Sequence, residues 1–489
     1  MAHINHAKMV LNRDMITVMP EEAAQDRTYQ LIALSSASHR LLKDRETGKL
    51  LDQAEKETAD LGERDQANYE LMRRKYELSQ AIPVHLEEEQ AALASKGAQS
   101  FPQWREEGDF QSALPHLERV FEINREIAAI KAKYLETETI YDALIDAYDP
   151  CSSVSRIKEI FGPLEDFLKQ AIPQAIQMTS EMAPPAELEG PFSLDLQESL
   201  HRRVSEDLGF DFRRGVMMVV DTHPSCYGSP YDMRFTTRCH PDEYLEGLRA
   251  AIHEAGHGIY EQNTDARFHY QPVGQSNGMS IHESQSLFWE KQVANHPAFY
   301  HYLSPLLQEI FGYSKNEPAL DPENLAALGT QVRPGYIRIE ADEMTYPMHI
   351  FMRFELEERL VAGTLEVKDI PDAWAAAMED KLGLTPPNHT LGCLQDIHWP
   401  VGHIGYFPSY TLGAVIAAQI ARKMREDIDD FESGVSRGDF CIIRQWLTRN
   451  IHEQGSLLKP LDLVRHATGA DLGPEDFIQH LKTRYLNRY

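Results

Sequence analysis

The chain has 489 residues, 42% apolar and 25% charged, so it can bury a large core without disulfide or metal staples. Lys and Arg number 48 against 76 Asp and Glu, a formal charge of −28. Such an acidic balance argues strongly against a nucleic-acid backbone or an anionic membrane as partner, since both need a basic surface.

No window approaches the roughly 18 consecutive apolar residues of a membrane span. The opening MAHINHAKMVLNRDM has no apolar h-region and no small-residue cleavage site. Cysteines stand at 151, 226, 239, 393 and 441, with no C-x-x-C, which reads as reduced thiols in a cytoplasmic protein.

Residues 1–180 read as helical almost throughout. Leu50 to Ile82 carries apolar residues at helical spacing among Glu, Lys, Arg and Gln, with Pro83 as a stop. A second helix is marked by Leu117, Val120, Phe121, Ile127, Ala128 and Tyr134 on one face. Ala183-Pro184-Pro185 and Gly190-Pro191 suggest a joint near 185, between an N-terminal helical sub-domain or lid (1–185) and a catalytic part (186–489). Gly215–Asp221 and Asp232–Arg238 are strand candidates, separated by a turn-rich stretch with Pro224, Gly228 and Pro230. They suggest a small antiparallel ribbon. From Pro241 the helical pattern returns, with loops near 271–279, 313–322, 385–395 and 400–408. The class is mainly α with a minor sheet.

His253-Glu254-Ala255-Gly256-His257 is an H-E-x-x-H inside a marked helix. Pro241 suits the first turn, followed by Asp242 and Glu243, and Leu245, Leu248, Ile252 and Ile259 form the core stripe. Histidines four apart leave one side of a helix, and two such imidazoles can reach one tetrahedral Zn²⁺. Glu254 projects close by, placed to polarise water and carry its proton. The pattern alone also fits a helix with two surface histidines, and a catalytic zinc needs a third ligand and an open position. Glu283, 26 residues past His257, suits a helix–loop–helix return. Ser280-Ile281-His282-Glu283 equally matches a capping box, in which Glu283 only caps its helix, and His282 is a rival ligand from the same turn.

Together these motifs resemble the M32 metallocarboxypeptidases. The D-x-R-x-T block of that family is similar to Asp232–Thr236, and its H-E-S/G-Q block to His282–Gln285. Its I-R-x-x-A-D block is similar to Ile337–Asp342, and its G-x-x-Q-D-x-H-W block to Gly392–Trp399. One block departs: H-P-F is here His223-Pro224-Ser225. The resemblance implies a large helical metallopeptidase fold with a deep central groove, the small antiparallel sheet lying beside the HEXXH helix. It implies a homodimer that releases single residues from peptide C-termini with broad tolerance. It makes His253, His257 and Glu283 the ligands of one zinc per subunit, with cobalt as an alternative, and Glu254 the general base.

Peptide hydrolysis also needs oxyanion donors and, for an exopeptidase, a carboxylate clamp. Tyr406, Tyr410 and His398 are candidate donors. A guanidinium binds a carboxylate bidentately, and among Arg234, Arg333 and Arg338 the first choice for the clamp is Arg338, which sits in the I-R-x-x-A-D block. His223 is a further candidate for substrate binding. The strand 232–238 is expected to receive substrate as an extra strand. Asp342 and Asp396 are candidates to orient the ligand imidazoles. An endopeptidase on the same scaffold, or an inactive helical interaction protein, are the alternative readings.

Overall fold

A computed structural model describes residues 1–221 and 223–487. Helix accounts for 68% of the chain, with a single small sheet among the described residues, as the mainly helical reading expects. The helices that build the site are α1 (Ala2–Met15), α2 (Leu245–Gln262), α3 (Met279–Leu287), α4 (Tyr346–Ala362) and α5 (Pro408–Asp427). No described helix is long and apolar enough to cross a membrane. No described cysteine is in a disulfide, and burial pushes the Cys393 thiol up to about 12.

One apolar cluster runs from Phe101 to Tyr485 and joins both sides of the joint near 185. The helix Phe110–Leu135 buries Leu117, Val120, Phe121, Ile127 and Ala128 as its periodicity requires. Tyr134 leaves that face; it is exposed and donates its hydroxyl hydrogen to Glu77. Before Phe101 the buried apolar side chains are only Leu51, Ile82 and Leu86 among the described residues, so the first helices form a looser outer layer. The expected helix over Leu50–Ile82 is broken: Arg45–Glu55 ends, a 3-10 turn follows, and Glu63–Ala81 restarts after Gly62. Leu61 and Gly62 adopt extended backbone there, and Pro83 closes the segment.

The sheet corrects the antiparallel reading. Strand β1 (Gly215–Val219) pairs with β3 (Asp232–Thr237) in parallel, from Gly215 opposite Met233 to Val219 opposite Thr237. An additional strand, β2 (Cys226–Ser229), pairs antiparallel with β3, giving the order β1-β3-β2. The chain leaves β1, crosses to the far edge and returns as a β2–β3 hairpin. Pro224, Gly228 and Pro230 give β2 the composition of a turn and so hide it. Gly228 sits at φ +156°, where an added Cβ would lie 2.2 Å from the Asp232 carbonyl, so the tight hairpin needs a glycine. With β3 in the centre, its edges are already paired, and the expected addition of a substrate strand to β3 is excluded.

Helix α2 also starts later than expected, at Leu245 rather than near Pro241. The Glu243 carboxylate accepts the backbone N–H groups of Leu245 (2.8 Å) and Glu246 (2.6 Å), satisfying two of the free donors at a helix start. Pro241 lies outside the helix, where its carbonyl accepts the Phe192 N–H at 2.7 Å.

Candidate metal centre

Helix α2 buries Leu248, Ala251, Ile252, Ala255 and Ile259 and turns His253 and Glu254 toward a cleft, with His257 one helical turn after His253. Two glycines bring the neighbouring helices close. A Cβ at Gly256 would stand 2.8 Å from the Ser286 Cα on α3, and one at Gly413 on α5 would stand 2.8 Å from the Glu283 Cβ and Cγ. Asp149 ties α3 to α5: it accepts from the Ser280 N–H (2.8 Å), the Ser280 hydroxyl (2.6 Å) and the Ser409 hydroxyl. The Ser280 hydroxyl is thereby committed to Asp149, and the capping box is not formed. Glu283 faces α2 instead.

Ligand atoms of His253, His257 and Glu283 all lie within 4.8 Å of one another. Glu283 oxygens are 3.9 Å from His253 Nε2 and 3.4 Å from His257 Nε2. The far side of each ring is engaged as a metal-binding imidazole requires. His253 Nδ1 donates to Glu290 at 2.9 Å. His257 Nδ1 meets His282 Nδ1 at 2.7 Å, and His282 Nε2 meets Glu261 at 3.0 Å. A carboxylate only accepts, so His282 donates through Nε2 and receives the His257 Nδ1–H on its Nδ1. In the neutral form that binds a metal, each ligand candidate would offer its Nε2 lone pair on the side where Glu283 stands. Two imidazole nitrogens and one carboxylate oxygen, each braced from behind, fit a divalent ion such as zinc.

Charge and burial compete throughout this cluster. Burial pushes against ionisation of Glu290, but Lys291 (2.6 Å) and His253 hold it down to about 2. Burial opposes protonation of His253, yet Glu283 and then Glu290 raise it to about 9. His257 falls to about 4, through burial and the neighbouring His282. Glu254 rises to about 7, chiefly through burial, with Glu283 adding repulsion and His253 opposing.

A cavity of about 540 Å³ opens beside these groups. His253, Glu254 and Glu283 line it together with His223, Arg338 and Tyr410, all named from the sequence, and with Arg249, Glu290 and Tyr346, which were not. Arg338 directs Nε and Nη2 to Asp396 at 3.1 and 2.7 Å and Nη1 to the Tyr346 hydroxyl at 2.7 Å. Arg353 also binds Asp396, at 2.7 Å, so two guanidiniums share one carboxylate. His223 Nδ1 donates to the Pro224 carbonyl at 2.6 Å, and burial lowers the ring's pKa. His398 Nε2 lies 3.2 Å from the Tyr410 hydroxyl, and the Tyr406 ring sits edge-on to Tyr410 with centroids 5.2 Å apart.

Other expected residues lie elsewhere. Arg234 is outside the cavity lining, bonded to Asp232 at 2.8 Å and facing Asp14 at 3.6 Å. Arg333 is exposed. Asp342 accepts the backbone N–H groups of Arg333, Met344 and Thr345, which makes it a loop brace rather than a partner of an imidazole. Asp396 holds Arg338 and Arg353 and sits 3.9 Å from His398, so it too is corrected as an orienter of the ligand rings. Glu290, Glu261 and His282 occupy that position. Glu261 is four residues past His257, so the two share a face of α2, a spacing visible in the sequence. Glu290 lies in the π-helical turn Phe288–Ala294 that follows α3 and reaches His253 from the neighbouring element, which no local spacing marks.

The family model of the carboxypeptidase Taq (M32) metallopeptidases matches residues 1–485. Carboxypeptidase 1 of Bacillus subtilis is 32% identical over 491 residues, covering 100% of this chain and 96% of that protein. Thermostable carboxypeptidase 1 of Pyrococcus furiosus is 32% identical over 486 residues, with 99% and 96% covered. Among solved structures, Trypanosoma cruzi metallocarboxypeptidase 1 superposes with a TM-score of 0.95 at 34% identity, covering 99% of this chain and 97% of that one. The M32 carboxypeptidase from Deinococcus radiodurans gives 0.92 at 30% identity, with 100% and 97% covered. With a family model matching residues 1–485 and relatives 32% identical across almost its whole length, the chain belongs to the M32 family of metallocarboxypeptidases.

Proposed function

We propose that the protein is a zinc-dependent exopeptidase that releases single residues from unblocked peptide C-termini with broad side-chain tolerance. One observation carries this reading: His253, His257 and Glu283 converge beside a cavity that His253 and Glu283 line together with Glu254 and Arg338. His253, His257 and Glu283 would hold the ion, which when bound supplies Lewis-acid polarisation of the scissile carbonyl and of water. The two-nitrogen, one-oxygen donor set suits zinc, with cobalt as an alternative.

Glu254 takes the proton of the attacking water and returns it to the departing amine. Burial that lifts its carboxyl to about 7 suits a group that must both accept and release a proton near neutrality. Tyr410 is the proposed donor to the developing oxyanion: a proton on His398 Nε2 is given to the Tyr410 oxygen, leaving its O–H for the substrate. Tyr406 supports that ring from the side. Neutral His223, with its Nδ1–H spent on Pro224, offers Nε2 as an acceptor for a substrate N–H. Arg338 is the proposed clamp for the terminal carboxylate. With Arg353 it shares a single carboxylate, Asp396, so the cluster carries one uncompensated positive charge toward the cavity.

Residues 1–185 are proposed to act as an outer sub-domain over the catalytic part 186–489, with the sparsely buried layer before Phe101 as its mobile portion. A homodimer in the cytoplasm is inferred from the family resemblance and the thiol pattern.

The test is a mass-spectrometric time course on one peptide and its amidated twin. A ladder of single losses from the free peptide, with the twin resistant, is expected. Internal cuts in both peptides would support an endopeptidase, and no turnover with or without added zinc would support an inactive scaffold.

A further inference from the structure

Helix α1 buries one residue, and that residue is charged. Arg13 is 2% exposed, while no other residue of Ala2–Met15 is buried. Its Nη1 donates to the Ser225 hydroxyl at 2.8 Å and reaches the Thr236 hydroxyl at 3.4 Å. Its guanidinium lies 4.9 Å from the Tyr227 ring centroid. Among the described residues no carboxylate pairs with it. The adjacent Asp14 faces Arg27 and Arg234 instead, and Nε and Nη2 are buried without a partner. Docking a helix this way is costly, because an apolar side chain would do so without desolvating a cation.

What Arg13 touches is the back of the cleft wall. Ser225 follows His223 and Pro224, which line the cavity with His253 and Glu254. The Ser225 N–H donates to the Thr236 hydroxyl at 3.0 Å, and its carbonyl accepts the Thr236 N–H at 3.0 Å. One guanidinium therefore clamps the strand-entry segment and β3 together. Ser225 is also the position at which the H-P-F block loses its ring, and a larger side chain on that path would collide with Nη1. Further along the same face of α1, His3 and His6 pack on Tyr270 with ring centroids 4.4 and 5.9 Å apart.

We propose that Arg13 is a positioning residue of the catalytic centre: from the N-terminal helix it fixes the His223–Ser225 wall and edge strand β2, and so sets the preference for the substrate residue that lies against His223. The inference rests on the exopeptidase reading and deepens it. Arg13 acts through Ser225 and Thr236 and does not touch the reacting atoms.

The test compares Arg13→Ala, Ser225→Phe and the double variant on unblocked peptides that differ in their last two residues, together with hydrogen–deuterium exchange of each protein. For Arg13→Ala we expect KM to rise on the order of tenfold, kcat to change less than about threefold, and the ranking of peptides to shift. Exchange should rise over 223–229 and stay unchanged over α2. Ser225→Phe should be more damaging beside Arg13 than in the Arg13→Ala background. The proposal is overturned if Arg13→Ala lowers only the melting temperature, or if the two substitutions act independently. Where Arg13→Ala fails to fold, Arg13→Lys takes its place: its ammonium lacks the planar fork, and the same exchange and KM changes are expected. A wild-type protein that trims no peptide would end the exopeptidase reading. The exchange result would still decide the role of Arg13, since unchanged uptake at 223–229 rules it out.

Discussion

Gly413 on α5 stands so close to Glu283 on α3 that a methyl group on its Cα would come within 2.8 Å of the Glu283 Cβ and Cγ. The carboxylate proposed as the third metal ligand is thus set by the packing of two helices as well as by its own rotamer. Asp149 fixes the same pair of helices through Ser280 and Ser409.

Gly413→Ala is therefore expected to push Glu283 from the imidazoles. Metal affinity should fall about tenfold or more, alongside about 1–3 kcal/mol of overpacking strain. Competition with a chromophoric chelator measures the first and thermal unfolding the second. Unchanged affinity would mean that the helices relax without moving the carboxylate.

Glu290 braces His253 from the far side of the ring. Glu290→Gln should weaken metal binding by about 10–100-fold while the protein stays folded, since the amide still bonds Nδ1 but no longer strengthens the ring's basicity. Equal affinity for the two proteins, read by the same chelator, would remove Glu290 from the centre.

Arg338→Ala is expected to abolish the preference for a free terminus. Turnover of an unblocked peptide should drop by about a hundredfold, leaving a residual rate similar to that on its amidated twin. Asp396→Asn should instead cost stability, about 3–5 kcal/mol, because two guanidiniums would remain buried without their carboxylate. A normal free-to-amidated ratio in Arg338→Ala would return the clamp to another cavity cation such as Arg249.

Stability should depend on pH through Glu343. Its burial opposes ionisation, but Arg484 at 2.8 Å and His480 at 2.9 Å hold its carboxyl well below the ordinary value of 4.5. An acid depressed in the folded state stabilises the protein above its unfolded pKa, and that stabilisation is lost as pH falls. Wild type should exceed Glu343→Gln by several kcal/mol at pH 7, and the gap should shrink by about 1.4 kcal/mol per pH unit below about 4.5. Urea unfolding at pH 7 and pH 3.5 checks this, and a gap that widens in acid would contradict it.

Helical periodicity made the core helices legible, because one face of Phe110–Leu135 and of α2 is apolar at the required spacing. The histidine pair of α2 was legible for the same reason: four residues make one turn. The expected ligand from α3 was open on spacing alone, because S-x-x-E suits a cap as well as a ligand. The tertiary contact of Ser280 with Asp149, 131 residues away, decides which conformation forms. Strand β2 was invisible because Gly228 and Pro224 carry turn composition, and the parallel pairing of β1 with β3 depended on that hidden strand. Asp342 and Asp396 were misplaced because a motif records which residues recur together and not which atoms they face.

The proposition with most resting on it is that His253, His257 and Glu283 hold one ion per chain while Glu254 does chemistry and not binding. Metal content after dialysis, compared among wild type, Glu254→Gln and Glu283→Gln, tests it most directly. The account predicts one divalent ion per chain in wild type and in an inactive Glu254→Gln, and loss of the ion in Glu283→Gln. A Glu283→Gln protein that keeps one ion at wild-type affinity would contradict it.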